Sequence, residues 1–194
     1  MSATGLERLR ALLRDGGGVT ASLLASPAEP AGGAPPRGAR SRGAAGSGSF
    51  AASPAALAAS GPHASGRRDQ YELLVEAIYE GYLLHYGTPR VVRVPEADMR
   101  LLVGDRLYAI GLAQLVELGD THAVAELADT ITLSALAQGA RRVELADAVW
   151  SAGARAVGWG TDAEHARAKQ LVLAGDPGAL EAMRTSARMT SAPS

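Results

Sequence analysis

The chain has 194 residues, 47% of them hydrophobic, with 19 basic against 20 acidic side chains and no cysteine. Lacking thiols, it offers no disulfide, no thiolate metal site and no cysteine nucleophile. No apolar run reaches the length of a membrane-crossing helix, and Arg10 interrupts the Leu9 to Leu13 stretch where a secretory signal would need continuity, so a cytoplasmic, soluble protein is expected.

Residues 1–68 are rich in Gly, Ala, Pro and Ser, with runs such as Gly16-Gly17-Gly18, Gly32-Gly33 and Pro35-Pro36. Alanine raises the apolar count there without supplying large side chains, so the segment reads as a disordered tail. Gly5 to Arg14 has helical character but is too short to persist alone. The tail carries eight Arg against three acids, a net charge of +5, which leaves the remainder at −6. Its charges are dilute and not interleaved with aromatics, which argues for a solvated arm and against a nucleic-acid partner.

From residue 69 the punctuation is helical. Asp69 caps a helix running to Tyr86, stopped by Gly87 and Pro89. The apolar connector Val91-Val92-Arg93-Val94 leads to Pro95 and a helix closing at Gly119. Asp120 caps a third helix ending before Gly139; a fourth spans about 143–157; Asp162 caps a fifth; Asp176-Pro177 opens a short last one. Short connections favour antiparallel neighbours, so 69–186 is predicted to be an all-α antiparallel bundle with a flexible end at 187–194. The helix 95–118 is apolar nearly all round, with Leu101, Leu102, Leu112 and Val116 on one side and Met99, Val103 and Ile110 on another. Such a helix belongs in the middle of a bundle, and Gly104 and Gly111 permit close approach of a neighbour.

Three stretches resemble consecutive helices of the polyprenyl (trans-isoprenyl) diphosphate synthase family. They are Leu83-Leu84-His85, then Leu102-Val103-Gly104-Asp105-Arg106-Leu107-Tyr108-Ala109, then Leu118-Gly119-Asp120. The resemblance covers about a third of the chain and implies a partial isoprenoid-synthase-like bundle. Where that family places its first magnesium-binding aspartates, this chain has Tyr86 and Gly87, and no second aspartate-rich motif follows. Prenyl transfer needs magnesium held between two carboxylate clusters to neutralise the leaving diphosphate. The resemblance therefore implies a pseudoenzyme, with no catalytic residue, no cofactor and no metal site of the family type.

Candidate ligand-binding residues are Glu76, Glu80, Tyr82, His85, Asp105 and Tyr108. Glu72, Glu76 and Glu80 recur every four residues, as a metal or diphosphate–magnesium site would require; a solvated acidic stripe is the simpler reading. Asp98 and Asp105 share a face with Leu101, Leu102, Ala109 and Leu112, and a carboxylate there needs a partner, which Arg90, Arg93 or His85 can supply in a structural bridge. His85 at a helix end suits capping. His122 and His165 read as exposed first-turn residues, and no Ser–His–Asp grouping is legible. The tyrosines 71, 79, 82, 86 and 108 suit either a prenyl-sized cavity or a core whose hydroxyls reach its rim.

Three functions fit these residues. One is a non-catalytic helical domain that binds a partner, either a second copy in a homo-oligomer or a full-length prenyl synthase. Another is a lipid-binding module that holds an isoprenoid around Tyr82, Leu102 and Tyr108 without turnover. The third is an enzyme of unrecognised chemistry with Glu76, Glu80 and Asp105 around a divalent metal.

Overall fold

A computed structural model describes residues 4–15 and 53–188, and among these residues every regular element is a helix. In chain order they are α1 (Gly5–Asp15), α2 (Pro54–Ser60), a short 3-10 turn (Pro62–Ala64), α3 (Arg68–Tyr86), α4 (Ala97–Glu117), α5 (Thr121–Gly139), α6 (Val143–Trp159), α7 (Ala163–Leu173) and α8 (Ala179–Arg188). The all-α bundle predicted from the helix punctuation is thus observed.

Local chemistry sets these boundaries. Asp120 accepts a hydrogen bond from the Ala123 N–H at 2.9 Å, and Asp162 accepts one from His165 N–H at 2.7 Å, each satisfying a donor of a first turn. α4 closes through Gly119 at φ 75°, whose N–H donates to Val116 O at 2.9 Å while Asp120 N–H donates to Leu115 O at 3.1 Å. α5 closes through the same pair of bonds, Arg141 N–H to Gln138 O and Arg142 N–H to Ala137 O. There the left-handed position belongs to Arg141 at φ 58°, while Gly139, the expected stop, lies inside the helix.

The centre of the bundle is α6. Residues 145, 146, 148–150 and 152–158 are all buried, and α5, α8 and α2 close on this helix together. Its small side chains, Ala146, Ala148, Ala152, Gly153, Ala154 and Ala156, let several neighbours approach one axis, and Trp150 fills the largest remaining space. α4 does not occupy the middle, contrary to the expectation from its apolar circumference. It buries Val103, Gly104, Leu107, Gly111 and Leu115, chiefly against α3, and leaves Leu102 63% and Val116 58% exposed. Hydrophobicity on all sides is not what centres a helix here; small side chains are. The glycines of α4 act as expected: a Cβ on Gly104 would stand 2.6 Å from the His85 ring and 3.1 Å from the Gly81 carbonyl oxygen.

The boundary expected at residue 68 also moves. α2 lies between α3 and α6, with Ala55 and Ala58 fully buried, and a Cβ on Gly158 would stand 2.6 Å from Ala58 O. Alanine-rich sequence reads as coreless, yet at so tight a crossing small side chains are what the packing requires. α1 is not isolated either. It packs across α3, burying Leu9 and Leu13 in a second core cluster with Ala77, Leu84, Val91, Val92, Val103 and Leu107. The remaining residues of the expected tail, 1–3 and 16–52, and of the expected flexible end, 189–194, lie outside the described residues.

Candidate functional site

The acidic stripe of α3 faces inward. Glu76 is 2% and Glu80 0% exposed, so a solvated face is excluded for these two carboxylates. Each acid of the stripe has a separate structural task. Glu72 accepts from Gly5 N–H at 3.2 Å and from Arg8 at 2.9 Å, fastening α1. Glu76 is ion-paired with the Arg90 guanidinium. Glu80 Oε1 accepts three consecutive backbone donors of the connector, Arg90 N–H at 2.7 Å, Val91 N–H at 2.7 Å and Val92 N–H at 3.2 Å. Its other oxygen, Oε2, lies 3.5 Å from Arg90 Nε. The same guanidinium rests over the Tyr79 ring, 4.9 Å from its centroid.

This arrangement replaces a turn of secondary structure. The connector must leave α3, bury Val91, Val92 and Val94, and enter α4, and its N–H groups need acceptors along the way. One buried carboxylate takes all three. Burial pushes the Glu76 carboxyl above its ordinary range, with Arg90 opposing that shift and the Glu80 charge adding to it. Both acids are therefore committed to Arg90 and the backbone rather than left open to a metal or a diphosphate.

The other predicted site residues separate in space. His85 Nε2 approaches Asp105 Oδ1 at 3.1 Å, linking α3 to α4 as the structural reading expects. Asp105 is nevertheless 68% exposed, so the bridge sits at the rim and not inside an apolar stripe; Asp98 and Arg93 are exposed as well. The His85 ring stacks on Tyr108, with centroids 5.4 Å apart and planes 2° from parallel. Burial, then the neighbouring Tyr86, Tyr82 and Asp105, raise the Tyr108 hydroxyl well above its ordinary value. Tyr82 is 3% exposed and receives a hydrogen bond from Gln138 Nε2 at 2.6 Å, beside Tyr79 and Trp150. Tyr71 donates to Asp120, and burial, then that bond and the Asp120 charge, lift its pKa to about 12. The aromatics thus fill core and reach its rim. Tyr82 lies inside while Leu102 points outward, so these two do not line one pocket. Nor do Glu76, Glu80 and Asp105 converge, and among the described residues no three acids or histidines are grouped to hold a metal ion.

One constellation escaped the sequence. His165, expected on an exposed face, is 1% exposed. Its Nδ1 lies 2.7 Å from Ser186 Oγ and its Nε2 2.5 Å from Glu126 Oε1. Lys169 completes the chain, donating to Glu126 at 2.9 Å and to Asp129 at 2.7 Å. A Ser–His–Glu sequence of contacts invites a nucleophilic reading, but Ser186 is 1% exposed and no substrate can reach its oxygen. The network clamps α5, α7 and α8 together. Burial works to raise the Glu126 carboxyl, and the bonds and charges of His165 and Lys169 outweigh it, so its pKa is lowered. The spacing of His165 and Lys169, one turn apart on α7, was the one available hint.

What α4 leaves outside is the remaining candidate. Met99, Leu102, Arg106, Ala109, Ala113 and Val116 follow one another at intervals of three and four residues, and all six are exposed. That spacing puts them on one seam, turned away from α3. A scan against protein-family models gives no match, and searches of curated proteins and of solved structures give none either.

Proposed function

We propose that this chain is a helical interaction domain that binds a protein partner through the outward seam of α4, without turnover of its own. The observation that carries this reading is a seam left without a partner among the described residues. Leu102 is 63% and Val116 58% exposed on one side of a helix whose other side is already packed on α3. Apolar surface left in a continuous helical stripe marks a binding face more often than a scattered exposed leucine does. The carboxylates that a metal-dependent reaction would use are held instead by Arg90 and the connector backbone, which supports a scaffold role for α3. The polyprenyl-synthase resemblance lends a helical scaffold to this proposal, and the proposed binding face does not depend on it.

A photo-crosslinking residue placed at Leu102 of the full chain tests the reading, with the same residue at exposed Gln170 on α7 as control. Adducts of defined mass at position 102 and none at 170 are expected. Equal or no adduct at both positions would overturn it.

A further inference from the structure

Resting on that reading of α4, we infer that the partner is a second copy of this chain, paired antiparallel across a two-fold axis that passes the seam between Ala109 and Ala113. Two charges on α4 point to this pairing. Among the described residues neither the Arg106 side chain nor the Glu117 side chain has an ion-pair or hydrogen-bond partner. They sit three turns apart on α4, so they project from nearly the same edge of the seam, about 20° apart around the helix. Between them the seam carries Ala109, Ala113 and, next to Glu117, Val116.

A helix with an unpaired cation at one end of a small-residue stretch and an unpaired anion at the other is complementary to itself when reversed. The antiparallel two-fold keeps equivalent edges side by side, so Arg106 of each copy comes level with Glu117 of the other and two identical ion pairs form. A parallel pairing would bring Arg106 against Arg106 and is disfavoured. Ala109 and Ala113 fall at the crossing, where the absence of bulk lets two helix axes approach. Val116 then rests against the aliphatic stem of the other copy's Arg106. Leu102 reaches past the end of α4 onto the Leu118–Asp120 turn. Asp105, engaged by His85, lies on the opposite edge and far from its own copy, so no like charges are forced together.

A contact of essentially one helix from each copy is at the small end of specific interfaces, so a dissociation constant on the order of 10 µM is expected. Sedimentation equilibrium of the full chain over a concentration range bracketing that value reads it directly. The wild-type chain is expected to show a monomer–dimer equilibrium. Arg106→Glu and Glu117→Arg alone should each weaken dimerisation by about tenfold, because each turns two attractive pairs into repulsive ones. The double variant should return to within about threefold of wild type, since every pair is re-formed with its signs exchanged. Both positions are exposed, so circular dichroism of each variant should be unchanged.

A monomer at all concentrations overturns the inference, and so does a dimer indifferent to the two substitutions or one that the double variant fails to restore. If the chain is monomeric while Leu102 photo-crosslinks a protein of another mass, the self-pairing falls and the interaction face stands. A crosslink from Leu102 to residues 16–52 of the same chain would give the seam to an internal segment and remove both.

Discussion

Replacing Glu80 by alanine tests the claim that the α3 carboxylates are structural. The side chain is fully buried, and its Oε1 receives the N–H groups of Arg90, Val91 and Val92. Val91 and Val92 are themselves buried, so in the variant their donors face neither protein nor water, at about 1–3 kcal/mol each. The half-buried Arg90 N–H can turn to solvent and adds little. Removing a buried carboxylate also relieves its desolvation, which offsets part of the loss, and the net expectation is about 3–5 kcal/mol of destabilisation. Out of the 5–15 kcal/mol typical of a whole domain, that is about a fifth or more. With a urea slope of about 2 kcal/mol per molar, the unfolding midpoint should fall by about 2 M in far-UV circular dichroism. Glu80→Gln keeps a carbonyl oxygen for the three donors and should lose less than half as much. A midpoint shift below about 0.5 M for alanine, or equal losses for the two variants, would refute the reasoning.

Other expectations follow from the same structure. Arg141 holds a left-handed φ of 58° at the end of α5, so Arg141→Gly should stabilise the fold by about 0.5–1 kcal/mol, read as a raised urea midpoint. The Glu126 carboxyl has a lowered pKa when folded; its contribution is complete above the unfolded value near 4.5 and is lost as pH falls through the folded one. Stability of the wild type should therefore drop across that acid window, and in Glu126→Gln the slope should shrink by as much as one proton, about 1.4 kcal/mol per pH unit, in urea titrations between pH 3 and pH 6. Leu9→Ala removes a fully buried side chain that ties α1 to the second core cluster. Trypsin should then cut at Arg8, Arg10 and Arg14 faster than in wild type, while hydrogen exchange of α5 and α6, which make no part of that cluster, stays as slow as before.

What the sequence made legible was whatever is written locally. Caps such as Asp120 and Asp162, and the glycine stop at Gly119, place the helices from α3 onward within a few residues. The role of Gly104 was also legible, because only a missing side chain allows a helix to cross so closely. Tertiary placement was not. α4 and α6 are both rich in apolar residues, and the deciding variable was the size of the side chains and not their polarity. For the same reason α2 read as linker. The three glutamates of α3 form a regular stripe that looks solvated on a wheel, but their partners, Arg8, Arg90 and the connector N–H groups, come from outside the helix. The Ser186–His165–Glu126 clamp joins three helices separated by long stretches of chain, and no local pattern encodes it. His85 and Asp105 were brought together as the residues suggested, but at the rim rather than in the core.

Because the chain has no cysteine, a single introduced thiol reports on one place alone. Ala109→Cys puts that thiol at the middle of the α4 seam with little change in bulk, and Gln170→Cys puts one on the exposed side of α7. The maleimide labelling rate of each, measured from dilute to concentrated full-length protein, tests the binding face most directly. Labelling at position 109 is expected to slow at least severalfold as concentration rises while position 170 keeps its rate. Equal, unchanging rates at both positions, in purified protein and in cells alike, would contradict it.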